Sequence, residues 1–128
     1  MSIHLSESSG DILSRLQRSF RLGARPPLLR LALAIGLRRC GGLMPAQTDS
    51  KGREIPVKVV SGGAGPLWDA LILEAVPCLD ALDSAKRKRA YKCLIDLGLS
   101  EIANDVQAEG TPGDYLARLA REHYEEKV

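Results

Sequence analysis

The chain has 128 residues, of which 45% are hydrophobic, 27% charged and only 4% aromatic, and its formal net charge is +2. These totals fit one soluble globular domain with an aliphatic core, and they leave few aromatic surfaces on which bases could stack. Three widely spaced cysteines without a C-x-x-C pattern argue against a disulfide framework and a zinc site, and they favour a reducing, cytoplasmic compartment.

The charge is distributed unevenly along the chain. Residues 1–40 contain seven arginines and two acidic residues, whereas residues 61–128 contain eight basic and twelve acidic residues. Such polarity suggests a basic face for an anionic partner and an acidic face for water or another protein. The longest apolar run, around Leu28 to Leu37, is interrupted by Arg30 and is too short to span a bilayer, so no membrane partner is expected.

The first predicted elements are a short extended stretch, "IHLS" at 3–6, and a helix from Glu7 to Leu22. Ser6 is a typical helix N-cap, and Gly23 is a typical end. At 100° per residue the apolar side chains of this helix share one side. The opposite side carries a stripe of three arginines, Arg15, Arg18 and Arg21.

The second predicted helix lies between Pro26 and Gly41 and is apolar on nearly every side. Such a helix is buried either within the monomer or between subunits. The Gly/Pro-rich stretch 41–66 follows, in which "EIPVKVV" is the best strand candidate although Pro56 makes it an edge or an irregular strand. A helix is then predicted over "GPLWDALILEAVP", between Pro66 and Pro77.

Two further helical regions complete the pattern. One begins at Ser84 and runs to about Leu97, where Gly98 is expected to break it before another short helical stretch. The other is a C-terminal helix in "TPGDYLARLAREHYEEKV". The prediction is therefore a mainly α protein with one or two short strands. Its domains are a compact helical unit over 1–110 and an additional C-terminal helix over 111–128.

Motifs for catalysis are lacking. His4 and His123 lie near opposite ends of the chain, and no H-E-x-x-H, G-x-S-x-G or P-loop pattern is present. The segment "SGGAGP" at 61–66 lacks the Gly-Lys-Ser/Thr ending of a P-loop, so it is predicted to be a strand-to-helix turn. Cys40 is expected to be a packing thiol. No metal or cofactor is predicted.

A second basic element, "AKRKRAYK" at 85–92, begins the helix at Ser84. Four consecutive cations point in different directions on a helix. Taken alone, the run is therefore explained as well by a solvent-exposed helix start as by an anionic partner. Cations in a first turn oppose the helix dipole, however, and phosphate contacts would account for them. Together with the arginine stripe, the run favours nucleic acid over a membrane, because neither element has a free apolar flank.

The order strand, helix, glycine-containing turn and apolar helix suggests a ribbon-helix-helix-like unit. More specifically, "IHLSESSGDILSRLQRSFRLGARPPLLRLALAIGLR" (3–38) resembles the opening of the DndE family, small proteins of bacterial DNA phosphorothioation systems. "DSKGREIPVKVVSGGAGPLWDALI" (49–72) is similar to the middle of that family. Together these segments cover about half the chain, and the likeness fades after residue 72.

The resemblance implies a mainly helical homo-oligomer, with a tetramer as the expected state. It also implies binding of double-stranded DNA, with a preference for nicked duplex, and a place beside the sulfur-transfer and ATPase subunits of a DNA modification and defence system. It gives no catalytic residues, and it adds two cations of the turn before the strand to the basic surface. The predicted DNA-binding residues are Arg15, Arg18, Arg21, Arg25, Lys51, Arg53, Lys86, Arg87, Lys88 and Arg89.

Three alternatives stay open at this point. A ribbon-helix-helix repressor or antitoxin would need strand residues that read bases, and only Ser2 and His4 are available. An interaction adaptor would assemble through the hydrophobic second helix and would not bind DNA. A nicking nuclease has the least support in the sequence, and an enzyme is not the preferred hypothesis.

Overall fold

The computed structural model describes residues 2–20, 26–79, 81–109 and 117–121. Within these ranges the chain is mainly helical, with six helical segments and one small two-stranded antiparallel sheet. The predicted mainly α fold with short strands is thereby confirmed. Among the described helices, none combines the length and the apolar character that crossing a membrane requires.

The chain opens with strand β1 (Ser2–His4) and helix α1 (Glu7–Phe20). The predicted N-cap is confirmed, because the Ser6 hydroxyl oxygen accepts the backbone N–H of Ser9 at 3.0 Å. This bond satisfies one of the backbone donors that the first turn of a helix leaves unpaired. The predicted end of the helix, at residues 22–23, lies outside the described residues.

The core is built around two helices, α2 (Pro26–Arg39) and α5 (Ser84–Glu109). A proline suits the first turn of α2, where its missing N–H would have no intrahelical partner. Asp83 caps α5, since its Oδ1 accepts the backbone N–H of Lys86 at 2.8 Å. One side of the apolar second helix is thus buried inside the monomer, whereas Arg30, Ala34 and Arg38 are exposed. The largest fully buried side chains are Leu5, Leu13, Leu28, Leu29, Leu33, Ile72, Tyr91, Leu94, Ile95, Leu99 and Ile102.

The predicted break at Gly98 is wrong, because α5 continues through it for a total of 26 residues. A Cβ at Gly98 would collide with the backbone carbonyl of Ala32 in α2, and a Cβ at Gly36 would collide with the carbonyl of Leu94 in α5. These two glycines therefore allow the backbones of α2 and α5 to approach closely. Gly98 serves helix packing and not helix termination.

The predicted strand "EIPVKVV" is right only for its first three residues. Strand β2 (Glu54–Pro56) pairs antiparallel with β1, and the chain then enters the short helix α3 (Val57–Ser61). Val57 and Val60, three positions apart, both point into the core. Helical spacing buries both valines on one side, which a strand would not do.

Helix α4 (Gly65–Ala75) confirms the helix predicted between two prolines. The segment "SGGAGP" connects α3 to α4, so the predicted strand-to-helix turn is a helix-to-helix turn; Gly62, with φ of 58°, ends α3. Residues 117–121 are helical, as predicted for the C-terminal helix, and the rest of 110–128 lies outside the described residues. Arg118 Nη2 holds this segment to Asp105 of α5 at 3.2 Å.

Candidate nucleic-acid interface

Two members of the predicted arginine stripe lie on the solvent side of α1. Arg15 and Arg18 are exposed, whereas the apolar residues of the opposite side are buried. The Nε of Arg18 donates a hydrogen bond to the carbonyl of Ser14 at 3.4 Å, which directs the guanidinium along the helix surface. The other two predicted arginines, Arg21 and Arg25, fall outside the described residues.

Residues 47–53 form a loop, called the bridging loop below, that is fixed against β1 and the start of α1. The backbone N–H of Gly52 donates to the carbonyl of Leu5 at 2.8 Å, and the N–H of Leu5 donates to the carbonyl of Arg53 at 3.0 Å. A Cβ at Gly52 would collide with the carbonyl of Ser6. Only glycine fits this close approach, so the loop backbone has a defined position beside α1.

The bridging loop adds a cation to the arginine stripe. Arg53 Nη2 donates to the hydroxyl of Ser14 at 2.8 Å, and Ser14 is also the residue whose carbonyl accepts the Arg18 bond. The neighbouring Lys51 is exposed. Arg53 of the loop and Arg18 of α1 thus both bond to Ser14. We call these two arginines, together with the exposed Arg15 and Lys51, the α1–loop patch.

Asp49 joins the bridging loop to the first turn of α1. Its Oδ1 accepts the backbone N–H of Glu7 and that of Lys51, each at 3.0 Å. These two bonds, first that from Glu7, lower the pKa of the Asp49 carboxyl below its usual range because they favour the ionised form. An ionised carboxylate also suits the positive N-terminal end of a helix.

A partly buried polar cluster attaches the other side of the bridging loop to α5. The Asp96 side chain, 4% exposed, accepts the Thr48 hydroxyl at 2.5 Å and the Lys92 ammonium at 3.0 Å, and its other oxygen accepts the backbone N–H of Ser6 at 3.3 Å. Lys92 also donates to the carbonyl of Asp49 at 2.7 Å. The loop therefore bridges α1 and α5.

The cations of the predicted basic run in α5 point in different directions. Lys86, Lys88 and Arg89 are exposed. Lys88 and Arg89 line a groove of about 500 Å³ together with residues of β1 and of the bridging loop, among them His4 and Ser50. We call these three exposed cations the α5 patch; the bridging loop lies between it and the α1–loop patch.

Arg87, also predicted as a DNA contact, is turned toward the protein. Its Nη2 lies 3.0 Å from Oδ2 of Asp69 in α4, its Nε donates to both oxygens of that carboxylate at 3.2 Å, and Nη2 donates to the carbonyl of Leu82. The bond to Asp69 raises the pKa of the guanidinium further. Arg87 therefore fastens the start of α5 to α4.

Sequence reasoning missed the Asp96 cluster, which positions the loop that carries two predicted site residues. One signal was present: Lys92 and Asp96 are four positions apart, a spacing at which opposite charges meet on a helix. Asp96 also stands inside the apolar run "CLIDLGL", where an acidic residue needs a partner. Its bonds to Ser6 and Thr48 span 90 and 48 positions and leave no local pattern.

The histidine and cysteine side chains considered for catalysis or metal binding are engaged in contacts within the fold. His4 Nε2 lies 3.9 Å from the carboxylate of Glu54 on the neighbouring strand. The thiol of Cys40 donates to the carbonyl of Leu37, and burial raises the pKa of the Cys93 thiol. No group of three or more His, Cys, Asp or Glu side chains among the described residues is arranged to hold a metal ion.

Helix α4 leaves an apolar surface uncovered. Leu67 is 60% exposed and Leu71 38% exposed. Leu71 and the half-buried Trp68 border an open groove of about 550 Å³ against α2. Contiguous exposed apolar surface often marks an interface. We call Leu67, Trp68 and Leu71 the α4 face.

Comparison with known proteins finds no matching family model, no matching curated protein and no matching solved structure.

Proposed function

We propose that the chain is a DNA-binding component, without a catalytic role, of a bacterial DNA sulfur-modification and defence system, and that it acts in the cytoplasm. One observation carries the proposal: the bridging loop is bonded to α1 through Arg53 and to α5 through Lys92. The cations of α1 and α5 therefore lie on either side of the bridging loop, which carries two cations of its own. Such an arrangement suits the phosphate backbone of a duplex.

The arrangement favours backbone contact over base reading. Arginine and lysine contribute affinity through phosphates, and this contribution is independent of sequence. On the sheet, Ser2 is half-buried and His4 faces Glu54, so the strand offers little with which to read base edges. For this reason we prefer binding by charge and shape to a ribbon-helix-helix repressor.

The resemblance of residues 3–38 and 49–72 to the DndE family supports the finer part of the proposal. It supports a ribbon-helix-helix-like unit, a preference for nicked duplex, and work alongside sulfur-transfer and ATPase subunits. It also supports a homo-oligomer, with a tetramer as the expected state. The exposed α4 face is our candidate for one of its interfaces, because a second copy would cover the apolar side chains of Leu67 and Leu71.

The test is a salt series with intact and nicked duplexes. If about four phosphates are neutralised per bound unit, log K should fall with log salt at a slope of about −3.6, and an Arg15→Ala/Arg18→Ala variant should shallow that slope by about 1.8. The charge-matched control is Lys58→Ala/Arg121→Ala, which removes two exposed cations of α3 and of residues 117–121. We expect the control to keep the wild-type slope.

The remaining outcomes separate the alternatives. Absence of binding at low salt would remove DNA from the function and favour the interaction adaptor. Strong preference for one base sequence over others of equal length would favour the repressor. Equal slopes for the wild type and the Arg15/Arg18 variant would exclude the arginine stripe from the interface. Strand cleavage by the purified protein would revive the nuclease alternative.

A further inference from the structure

The groove between strand β1, the bridging loop and the first turns of α5 has the size of a small-molecule site. Its volume is about 500 Å³, and small-molecule sites typically measure about 300–1,000 Å³. Three elements that are distant in sequence line it, so its shape depends on the whole fold and not on one helix. We call it the α5–loop groove.

Lys92 lines the α5–loop groove but has no N–H left for a ligand. Its ammonium donates to the hydroxyl of Thr48 at 3.0 Å, to the carbonyl of Asp49 at 2.7 Å and to the carboxylate of Asp96 at 3.0 Å. These three bonds account for its three protons, and Asp96 balances its charge. Lys92 therefore holds the loop in place, and a ligand would be bound by the other residues of the lining.

Lys88 and Arg89 give the lining positive charge that no carboxylate balances. Both are exposed, and within the part of the chain that the structure describes neither forms an ion pair. Glu54 lies 3.9 Å from the lining residue His4, but among the described residues no Asp or Glu is itself part of the lining. Lys92 is three and four positions from the two cations, so all three share one side of α5, where like charges disfavour one another. A bound anion would relieve this repulsion.

The other two elements supply neutral hydrogen-bond donors. Ser2 of β1 and Gln47 and Ser50 of the bridging loop line the groove, and both loop residues are exposed. Their side chains can donate to the oxygen atoms of an anion. Thr48 and Asp49, which stand between the two loop residues, are bonded to Lys92, so these donors have a defined position. No Phe, Tyr or Trp among the described residues lines the groove, so charge and hydrogen bonds carry the recognition.

A phosphomonoester matches this lining in charge and in acceptors. Its second pKa is about 6, so it carries close to two negative charges at neutral pH, and it presents three strong acceptor oxygens. A phosphodiester carries one negative charge. We propose that the α5–loop groove binds the phosphate of a phosphomonoester, with Lys88 and Arg89 as its charge partners and with Ser2, Gln47 and Ser50 as hydrogen-bond donors.

The inference goes beyond the proposed function, because it requires no duplex, although the site shares Lys88 and Arg89 with the α5 patch. Small phosphorylated molecules and the phosphorylated end of a nucleic-acid strand have this chemistry in common. The experiment therefore tests first the phosphate group and then the molecule that carries it.

The first test is calorimetric titration with methyl phosphate, a monoester, and dimethyl phosphate, a diester, at about pH 7.5, where the monoester is a dianion. Arg89→Ala removes a cation of the lining. Lys86→Ala, the matched control, removes an exposed cation of the same helix that does not line the groove. Circular dichroism and thermal unfolding establish that each variant is folded.

We expect the wild type to bind methyl phosphate at least about tenfold more tightly than dimethyl phosphate. Arg89→Ala should weaken methyl phosphate binding roughly tenfold, and Lys86→Ala by no more than about twofold. Absence of methyl phosphate binding, equal binding of the two esters, or unchanged binding by folded Arg89→Ala would overturn the proposal.

A second variant separates a built site from a general attraction to positive charge. Ser50→Leu leaves every cation in place and puts a larger, apolar side chain at the groove, whereas Ser50→Ala removes only the hydroxyl. Folded Ser50→Leu should bind methyl phosphate roughly tenfold more weakly than the wild type and more weakly than Ser50→Ala. Wild-type affinity in folded Ser50→Leu would contradict binding in the groove.

Matched pairs of probes identify the molecule that carries the phosphate. They are glycerol phosphate with glycerol, and a short oligothymidine with and without a terminal phosphate. Tighter binding of glycerol phosphate than of the phosphorylated oligothymidine would support the site and assign it to small molecules. The reverse order would support the site and assign it to strand ends. If removal of the phosphate weakened neither probe, the proposal would be wrong.

This proposal and the proposed function can fail separately. If methyl phosphate binds and duplex does not, the α5–loop groove stands as a phosphomonoester site and the proposed function is wrong. If duplex binds with the expected salt dependence and methyl phosphate does not bind, the groove proposal is wrong and the proposed function stands.

Discussion

Asp96 is a single buried side chain that fixes the position of the bridging loop at the surface. It lies almost completely buried in α5, and its two oxygens accept bonds from Ser6, Thr48 and Lys92. A buried carboxylate carries a large desolvation cost, which is tolerable only where its partners are complete. Here those partners belong to α5, to the residue that caps α1 and to the bridging loop, so the carboxylate connects all three.

At the residue scale we therefore expect Asp96→Ala to be strongly destabilising. The substitution leaves the Lys92 ammonium, 14% exposed, without its charged partner, and removal of one member of a buried pair typically costs about 3–5 kcal/mol. The measurement is urea unfolding followed by circular dichroism. Asp96→Asn, which keeps the size and one acceptor oxygen, should lose less.

A double substitution provides the control for this prediction. Lys92→Met together with Asp96→Leu removes both charges, and such apolar replacements of buried pairs are often neutral or stabilising. The double variant should be more stable than Asp96→Ala. A loss below about 1 kcal/mol for Asp96→Ala would place the pair among solvent-screened surface contacts and contradict its buried role.

At the scale of elements, the packing of α2 on α5 depends on two glycines that sit inside helices. Glycine lowers the stability of a helix interior by about 1 kcal/mol relative to alanine. At Gly36 and Gly98 that cost is offset by the close approach of the two backbones, since a Cβ at either position would collide with a carbonyl of the other helix. The contact places the long apolar side chains of both helices in one core.

We expect Gly98→Ala to destabilise the protein although alanine is the better helix former. The added methyl group meets backbone rather than a flexible side chain, and such overpacking typically costs about 1–3 kcal/mol. Thermal unfolding would measure the change.

Gly10 in α1 is the matched helical control for this substitution. A Cβ there has ordinary contacts at 3.8 Å, so Gly10→Ala should be neutral or stabilising by up to about 1 kcal/mol. If both substitutions stabilised the protein, the close contact of α2 with α5 would be refuted.

These elements also show which structural features the sequence could predict and why it could not predict the others. Local signals predicted the start of α1 at Ser6 and the limits of α2 and α4, because capping residues and prolines act on neighbours in the chain. The role of Gly98 escaped because it depends on Ala32, which is distant in sequence. A glycine that ends a helix and one that packs against another helix look alike in a single sequence.

The same contrast between local signals and contacts distant in sequence applies to the candidate site. Residue type and spacing predicted Arg15, Arg18 and the basic run at 86–89, and the resemblance to the DndE family added Lys51 and Arg53. They could not distinguish Arg87, whose side chain faces Asp69, from its neighbours, because the direction of that side chain depends on the position of α4. The bridging loop escaped for the same reason, since its anchors lie in β1, α1 and α5.

At the scale of the whole molecule, the charge asymmetry of the sequence is partly neutralised within the fold. Burial disfavours the charge on Arg39, yet the carboxylates of Glu101 and Asp105 raise the pKa of its guanidinium, and Arg118 joins the same cluster. The second half of α5 thus uses its acidic residues to hold α2 and residues 117–121. Within the part of the chain that the structure describes, the cations of the two patches form no ion pair with a carboxylate.

The α4 face carries the last prediction, which concerns assembly. If a second copy covers this face, Leu67→Glu/Leu71→Glu should shift the protein toward monomer, because each glutamate would place a charge in an apolar interface. Light scattering coupled to size-exclusion chromatography over a concentration series would measure the mass of the particle.

Leu43→Glu is the matched control, because Leu43 is 68% exposed, comparably to Leu67, and lies in the turn after α2. It should leave the mass of the oligomer unchanged. A wild type that is monomeric at every concentration, or an oligomer that survives the double substitution, would exclude the α4 face as an interface.

Assembly through this face would also repeat the basic patches on one particle, and linked copies bind a long polyanion more tightly than one copy does. The double variant should therefore lose affinity for long duplexes more than for short ones, although none of its substituted residues belongs to either patch.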